Sequence, residues 1–277
     1  MSHATINWPS IFDLRDQSKR YTLTDQSYIC AFFSFALILA TLCVLTLAFF
    51  GVKSKGGIAD QDTTHKKAMK RLSWVLSCFN SGLLTALGFA YVVFQFQESG
   101  FELQKHSLQH IDNFSALTCL WFAMFNVTDL VFGTIYYPKQ MDPLTAYVHH
   151  PLFIYIMFAC TTGYYGGISW PSTTSWRSII FDRVPPFSSS FMLVCAEELP
   201  TFILALGSVY PTLRSDLGFG VSFFLLRILY HAFVMLRGIY VGVHPFQSCL
   251  YGITLFMHMF WFKGWVTSMR KNAKKKE

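Results

Sequence analysis

Seven long apolar runs, each about 23 residues, leave this chain few ways to fold. A run of that length crosses the roughly 30 Å hydrocarbon layer of a bilayer as a helix. Only helices and closed barrels satisfy their own backbone polar groups in lipid. The runs lie at roughly Tyr28–Gly51, Ser73–Phe96, Ser115–Tyr137, Val148–Trp170, Ser188–Tyr210, Asp216–Gly238 and Val243–Trp265. They predict an all-α integral membrane protein of about seven transmembrane helices, with six to eight as the bounds. Composition agrees: 53% of the 277 residues are hydrophobic and 13% charged, where a soluble domain carries about 25% charged residues.

The pattern sets the organisation. A polar N-terminal tail covers 1–27, a first span and a basic loop cover 28–66, a membrane domain covers 67–271, and a basic tail covers 272–277. No cleavable signal is expected in the first 27 residues, so the first span acts as an uncleaved anchor. The formal net charge of +7 does not point to nucleic acid, because Lys and Arg cluster beside span ends. The 52–72 loop holds Lys53, Lys55, Lys66, Lys67, Lys70 and Arg71, and the tail holds Arg270, Lys271, Lys274, Lys275 and Lys276. The positive-inside rule places both in the cytosol and the N-terminus in the lumen. Lys274 and Lys275 stand fourth and third from the end. They fit a retrieval signal for coat machinery or, equally, a plain basic flank. Asn113-Phe114-Ser115 is a possible glycosylation sequon on the luminal side. The seven cysteines form no CxxC pair and read as small packing residues.

Against this apolar background the polar residues stand out. Asp129 lies about eight residues, or roughly 12 Å, before the cytosolic end of the third span. A charged side chain at a span's centre costs about 2.5–3.5 kcal/mol on insertion scales. His149 and His150 open the fourth span, Glu197 and Glu198 lie mid-fifth, and Arg227 and His231 mid-sixth. Arg227 and His231 are four apart and share a helix face. Pro200 frees a carbonyl near Ala196 and should bend the fifth span. These groups predict a bundle with a polar interior near mid-membrane and the cytosolic leaflet. Glu198–Arg227 reads as a bracing pair as readily as a functional one. His258 reads as a satisfied packing histidine and His244 as interfacial.

Asp129 with the histidine pair is the candidate catalytic constellation. Imidazole serves as base or acyl-accepting nucleophile, and a carboxylate beside it holds the tautomer. Near the cytosolic leaflet the set could meet an acyl-CoA whose head stays in water. No metal is expected at the pair: the one HxxxH, His106 to His110, lies on the luminal side, and there is no HxxHH. No cofactor is expected beyond acyl-CoA as co-substrate, and membrane lipids are the expected partners.

At these residues the chain resembles the TLC-domain family, which holds ceramide synthases and several non-synthase lipid-regulatory proteins. The resemblance runs over roughly Lys67–Lys271. Asp129 followed by His149-His150 is similar to the family's aspartate-then-HH order. Glu198-Leu199-Pro200-Thr201-Phe202 resembles its ELSTPF-like signature, and Phe223 to Arg227 its FxxxR-like motif. Leu72 to Asn80 resembles the domain's opening, with Asn80 where histidine is common. The stretch after the pair holds no HDxxD-type segment, which sets the chain closer to the non-synthase members. The resemblance implies a lipid-accessible helical barrel in the endoplasmic reticulum. It also implies acyl transfer to a sphingoid base or another lipid, with His149 and His150 as nucleophile and base and Asp129 orienting them. A non-enzymatic regulator of membrane composition, or a cargo receptor, is the alternative. A proton-coupled transporter is less favoured, because no paired repeat is present.

Overall fold

The computed structural model describes residues 25–51, 58–99, 103–162 and 187–274. Every regular element among them is helical. The helices are α1 (Asp25–Gly51), α2 (Ile58–Ser99), the short α3 (Lys105–Leu108) and α4 (Asn113–Tyr136). Then come α5 (His150–Thr162), α6 (Ser188–Val194), α7 (Leu199–Val209), α8 (Asp216–Ser222), α9 (His231–Tyr240) and α10 (Pro245–Lys274).

Among the described residues, five stretches are long and apolar enough to cross a membrane: Cys30–Phe49, Lys70–Gln97, Lys105–Tyr136, Ser188–Val209 and Asp216–Tyr240. The protein is therefore a multi-helix membrane protein. The last expected span corresponds to α10, which has the length, at 30 residues, but less apolar character, with Gln247, His258 and Lys263 along it. The fourth expected span shows 13 helical residues in α5, and its second half lies outside the described residues. One expected loop is corrected. From Ile58 the 52–72 segment is helix, because Ala, Gln, Lys, Met and Arg follow Gly57 with no further glycine or proline. Lys66, Lys67, Lys70 and Arg71 thus ride on the first turns of a long α2 rather than on a loop.

α4 sits at the centre. Residues 115–116, 118–126 and 128–129 are all buried, so its neighbours cover almost its whole circumference. Asp112 caps it: Ser115 donates its amide to Asp112 Oδ1 at 2.8 Å, and the Asp112 amide donates to Ser115 Oγ at 3.2 Å. Ser115 also bonds Ser188 Oγ at 2.7 Å, tying the start of α4 to the start of α6. The sequon serine is therefore committed to the core. α1 packs on α4 through Phe35 edge-on to Trp121 and leaves Phe33, Leu37, Val44, Leu45 and Phe49 exposed, as a lipid-facing helix does. Trp121 in turn donates to Asn80 Oδ1 at 2.9 Å, which fixes α2 against α4.

Three irregular stretches interrupt the helices. A π turn, Thr145–His149, precedes Pro151, and the wider turn gives the proline ring room against the preceding carbonyls. A 3-10 stretch, Cys195–Glu198, lies just before Pro200, where the bend was expected. The third, a π stretch over Phe223–Tyr230, has no proline to account for it. All three carry site residues.

Candidate functional site

The site is built where those three stretches meet. The 3-10 stretch lies against α2 because residue 88 is glycine. A Cβ there would meet the Ala196 amide nitrogen and the Cys195 carbonyl carbon, so a larger side chain could not approach. This contact presents Glu197 and Glu198 to the bundle interior. Glu197 is buried and Glu198 half-buried.

Arg227 clamps the stretch. Its Nε donates to the Glu197 carbonyl at 2.8 Å, and one terminal nitrogen donates to Thr201 Oγ1 at 2.6 Å and to Glu198 Oε1 at 3.2 Å. The Glu198–Arg227 pair is present, with both side chains largely out of solvent. His231 takes the other glutamate. Its Nδ1 lies 2.9 Å from both Glu197 carboxylate oxygens, and its Nε2–H donates to the Tyr251 carbonyl at 3.0 Å. Arg227 and His231 do point the same way, each to one member of the Glu197–Glu198 pair.

His258 belongs to this cluster as well. Its Nδ1 donates to the Arg227 carbonyl at 2.9 Å and lies 3.8 Å from Glu197 Oε2, while its ring meets that of His231 edge-on at 5.2 Å. It is satisfied, as expected, yet it is satisfied inside the polar cluster rather than in apolar packing. Its position on the sequence carries no spacing signal toward 197 or 231.

The histidine pair lies on the other side of the same interior. His150 Nε2 is 3.7 Å from Asp129 Oδ2, and the Tyr137 hydroxyl donates to Asp129 Oδ1 at 3.0 Å. The constellation of Asp129 with the pair therefore forms through His150, and Tyr137 is the member that sequence reasoning missed. His149 is set by rings instead, 4.3 Å from Phe153 and 5.4 Å from Trp261. Both histidines hold a buried Nδ1 with no hydrogen-bond partner among the described residues. His231 and His258, by contrast, have their Nδ1 atoms engaged. A buried polar atom left without a partner is uncommon and marks a place where a ligand atom can bond.

Two cavities share this wall. The deep one, about 740 Å³ with its opening, is lined by Phe153, Ile156, Met157, Phe191, Leu250 and other mainly apolar side chains. The second, about 1360 Å³ with its opening, runs past Asp129, His150, Asn80, Trp74 and the Gln140–Asp142 turn at the end of α4. His149, Glu198, Arg227 and Phe122 line both. The pair thus sits beside two cavities, with His149 lining both and His150 the second.

Other expected residues lie elsewhere. Asn113 opens α4, away from the cavities. Lys274 ends α10, and Lys275 falls outside the described residues. His106 and His110 are linked by His110 Nδ1 donating to the His106 carbonyl at 2.7 Å, and neither lines the deep cavity. Compared with known proteins, the chain matches no family model, no curated protein and no solved structure.

Proposed function

We propose that this chain is a TLC-type, seven-span protein of the endoplasmic reticulum membrane that binds an acyl chain or lipid within its bundle. Its N-terminus is luminal and its C-terminus cytosolic. Its chemistry is acyl transfer from acyl-CoA to an acceptor lipid. The observation that carries this reading is the pair of buried, unpartnered Nδ1 atoms on His149 and His150, at the wall of two cavities that share His149. The deep cavity, with Phe153, Ile156, Met157, Phe191 and Leu250 in its wall, suits the acyl chain. The second, which runs past Asp129 and His150, suits the thioester head and the acceptor.

In the reaction, one imidazole nitrogen attacks the thioester carbonyl carbon, the C–S bond breaks, and the CoA thiolate leaves. The second histidine takes the proton released from the acyl-imidazolium and passes it to the CoA thiolate, which departs as the thiol. The acceptor's amine or hydroxyl then attacks the acyl-imidazole, gives its proton to the freed base, and that proton returns to the departing imidazole, which regenerates both histidines. Asp129, held by Tyr137, stabilises the charge on His150. Mass spectrometry of purified protein with a long-chain acyl-CoA tests this. The expected result is an acyl adduct or released CoA, lost in His149→Ala or His150→Ala. Folded protein with neither product, across chain lengths, overturns it.

A second reading is lipid binding without turnover, by a regulator of membrane composition. The 3.7 Å between His150 and Asp129 favours it, because that distance exceeds a hydrogen bond. Lipid that co-purifies unchanged with both wild type and the histidine variants would select it.

A further inference from the structure

We propose that Glu197, His231 and His258 form a site for a divalent first-row transition ion of the zinc class, separate from the histidine pair. One donor atom from each residue lies within 4.8 Å of the other two, and all three residues are buried. They come from three separate elements: the 3-10 stretch before α7, the first residue of α9, and mid-α10. Two imidazoles and one carboxylate are a donor set that zinc and iron(II) sites share.

The geometry at His231 carries the inference. Its Nε2–H is spent on the Tyr251 carbonyl. A neutral imidazole has only that one N–H, so Nδ1 turns a lone pair toward both oxygens of Glu197 at 2.9 Å. Two lone-pair-bearing atoms attract only when a proton or a cation stands between them. A ring nitrogen tied to a backbone carbonyl is also the arrangement that orients metal-ligating histidines. His258 repeats it: Nδ1 donates to the Arg227 carbonyl, so in the neutral ring Nε2 carries the lone pair. Zinc bound at about 2.0–2.2 Å sets tetrahedral donors roughly 3.3–3.6 Å apart. To reach that, the His231–Glu197 pair at 2.9 Å opens by about half an ångström and His258 closes in.

Charge does not oppose the ion. The nearby guanidinium of Arg227 is already paired with Glu198, so the Glu197 carboxylate remains for the cation. The three side chains also line the deep cavity. An ion held there keeps coordination positions facing that space and would polarise a lipid carbonyl or a water. None of this depends on acyl transfer at His149.

The test is metal content of the detergent-purified full chain. The protein is stripped with chelator, loaded with zinc chloride, desalted and measured by elemental mass spectrometry. About one zinc per chain is expected in wild type and in His149→Ala, with loss in Glu197→Gln, His231→Gln and His258→Gln. Loading wild type with cobalt(II) gives a second readout that needs no variant, a visible d–d band that zinc displaces. Overturning results are folded wild type with little zinc and no cobalt band, or retention of full zinc by the three variants.

Discussion

At the scale of single residues, Arg227 has the most partners to lose. Replacing it with alanine strands the carboxylate of Glu198 and removes three hydrogen bonds from the 195–201 region. Breaking such a pair from one side costs about 3–5 kcal/mol. Arg227→Ala should therefore lower the unfolding midpoint sharply, and Glu198→Gln/Arg227→Met should recover part of the loss. Thermal melts of both proteins in the same detergent check this, and equal melts would refute it. Trp121→Phe isolates one neutral hydrogen bond. It leaves Asn80 Oδ1 unpaired in a buried position and should cost about 1–3 kcal/mol in the same assay.

Helices depart from regularity here at the places that hold the candidate site. His149 ends a π turn, Glu197 and Glu198 close a 3-10 stretch, and Arg227 lies within a π stretch. Changing the turn width rotates successive side chains by other than 100°, so both adjacent glutamates find interior partners. Gly88 keeps the 3-10 stretch against α2. Gly88→Val should push Cys195 and Ala196 away, destabilise the bundle by about 1–3 kcal/mol, and loosen the Glu197–His231 contact. Chemical labelling of Cys195, buried in the native protein, reads the displacement: faster modification by maleimide is expected in the variant, and an unchanged rate would count against the contact. At the start of α4, Ser115→Ala removes one half of the capping box and the bond to Ser188. It should cost about 0.5–2 kcal/mol by thermal melt.

Across the whole molecule, the sequence speaks most clearly of the membrane. Helices α1 and α4 and the apolar part of α2 lie close to their expected positions, because a 20-residue apolar run has one low-energy form in lipid. The polar interior was legible too, since each acid or base inside a span needs a partner. The proposed placement in the endoplasmic reticulum is tested at this scale through the basic tail. Lys274→Ser with Lys275→Ser should move the protein out of the endoplasmic reticulum if the lysines are a retrieval signal. Fluorescence microscopy decides it, and an unchanged reticular pattern leaves them as a basic flank.

The sequence alone determined the solvent: apolar runs of this length demand lipid, and charges inside them demand each other. It also singled out Asp129, the histidine pair, Glu197, Glu198, Arg227 and His231, because each is costly where it stands. It did not determine the pairings. His231 bonds Glu197 and not Glu198, Tyr137 supports Asp129, and His258 joins the glutamate cluster from 61 residues beyond Glu197. Those contacts depend on helix rotation and on close approaches such as that at Gly88. Both arise from packing between elements remote in sequence, which spacing along one chain does not encode. The same holds for the metal-type cluster: its three donors share no motif, and only the folded bundle brings them within 4.8 Å.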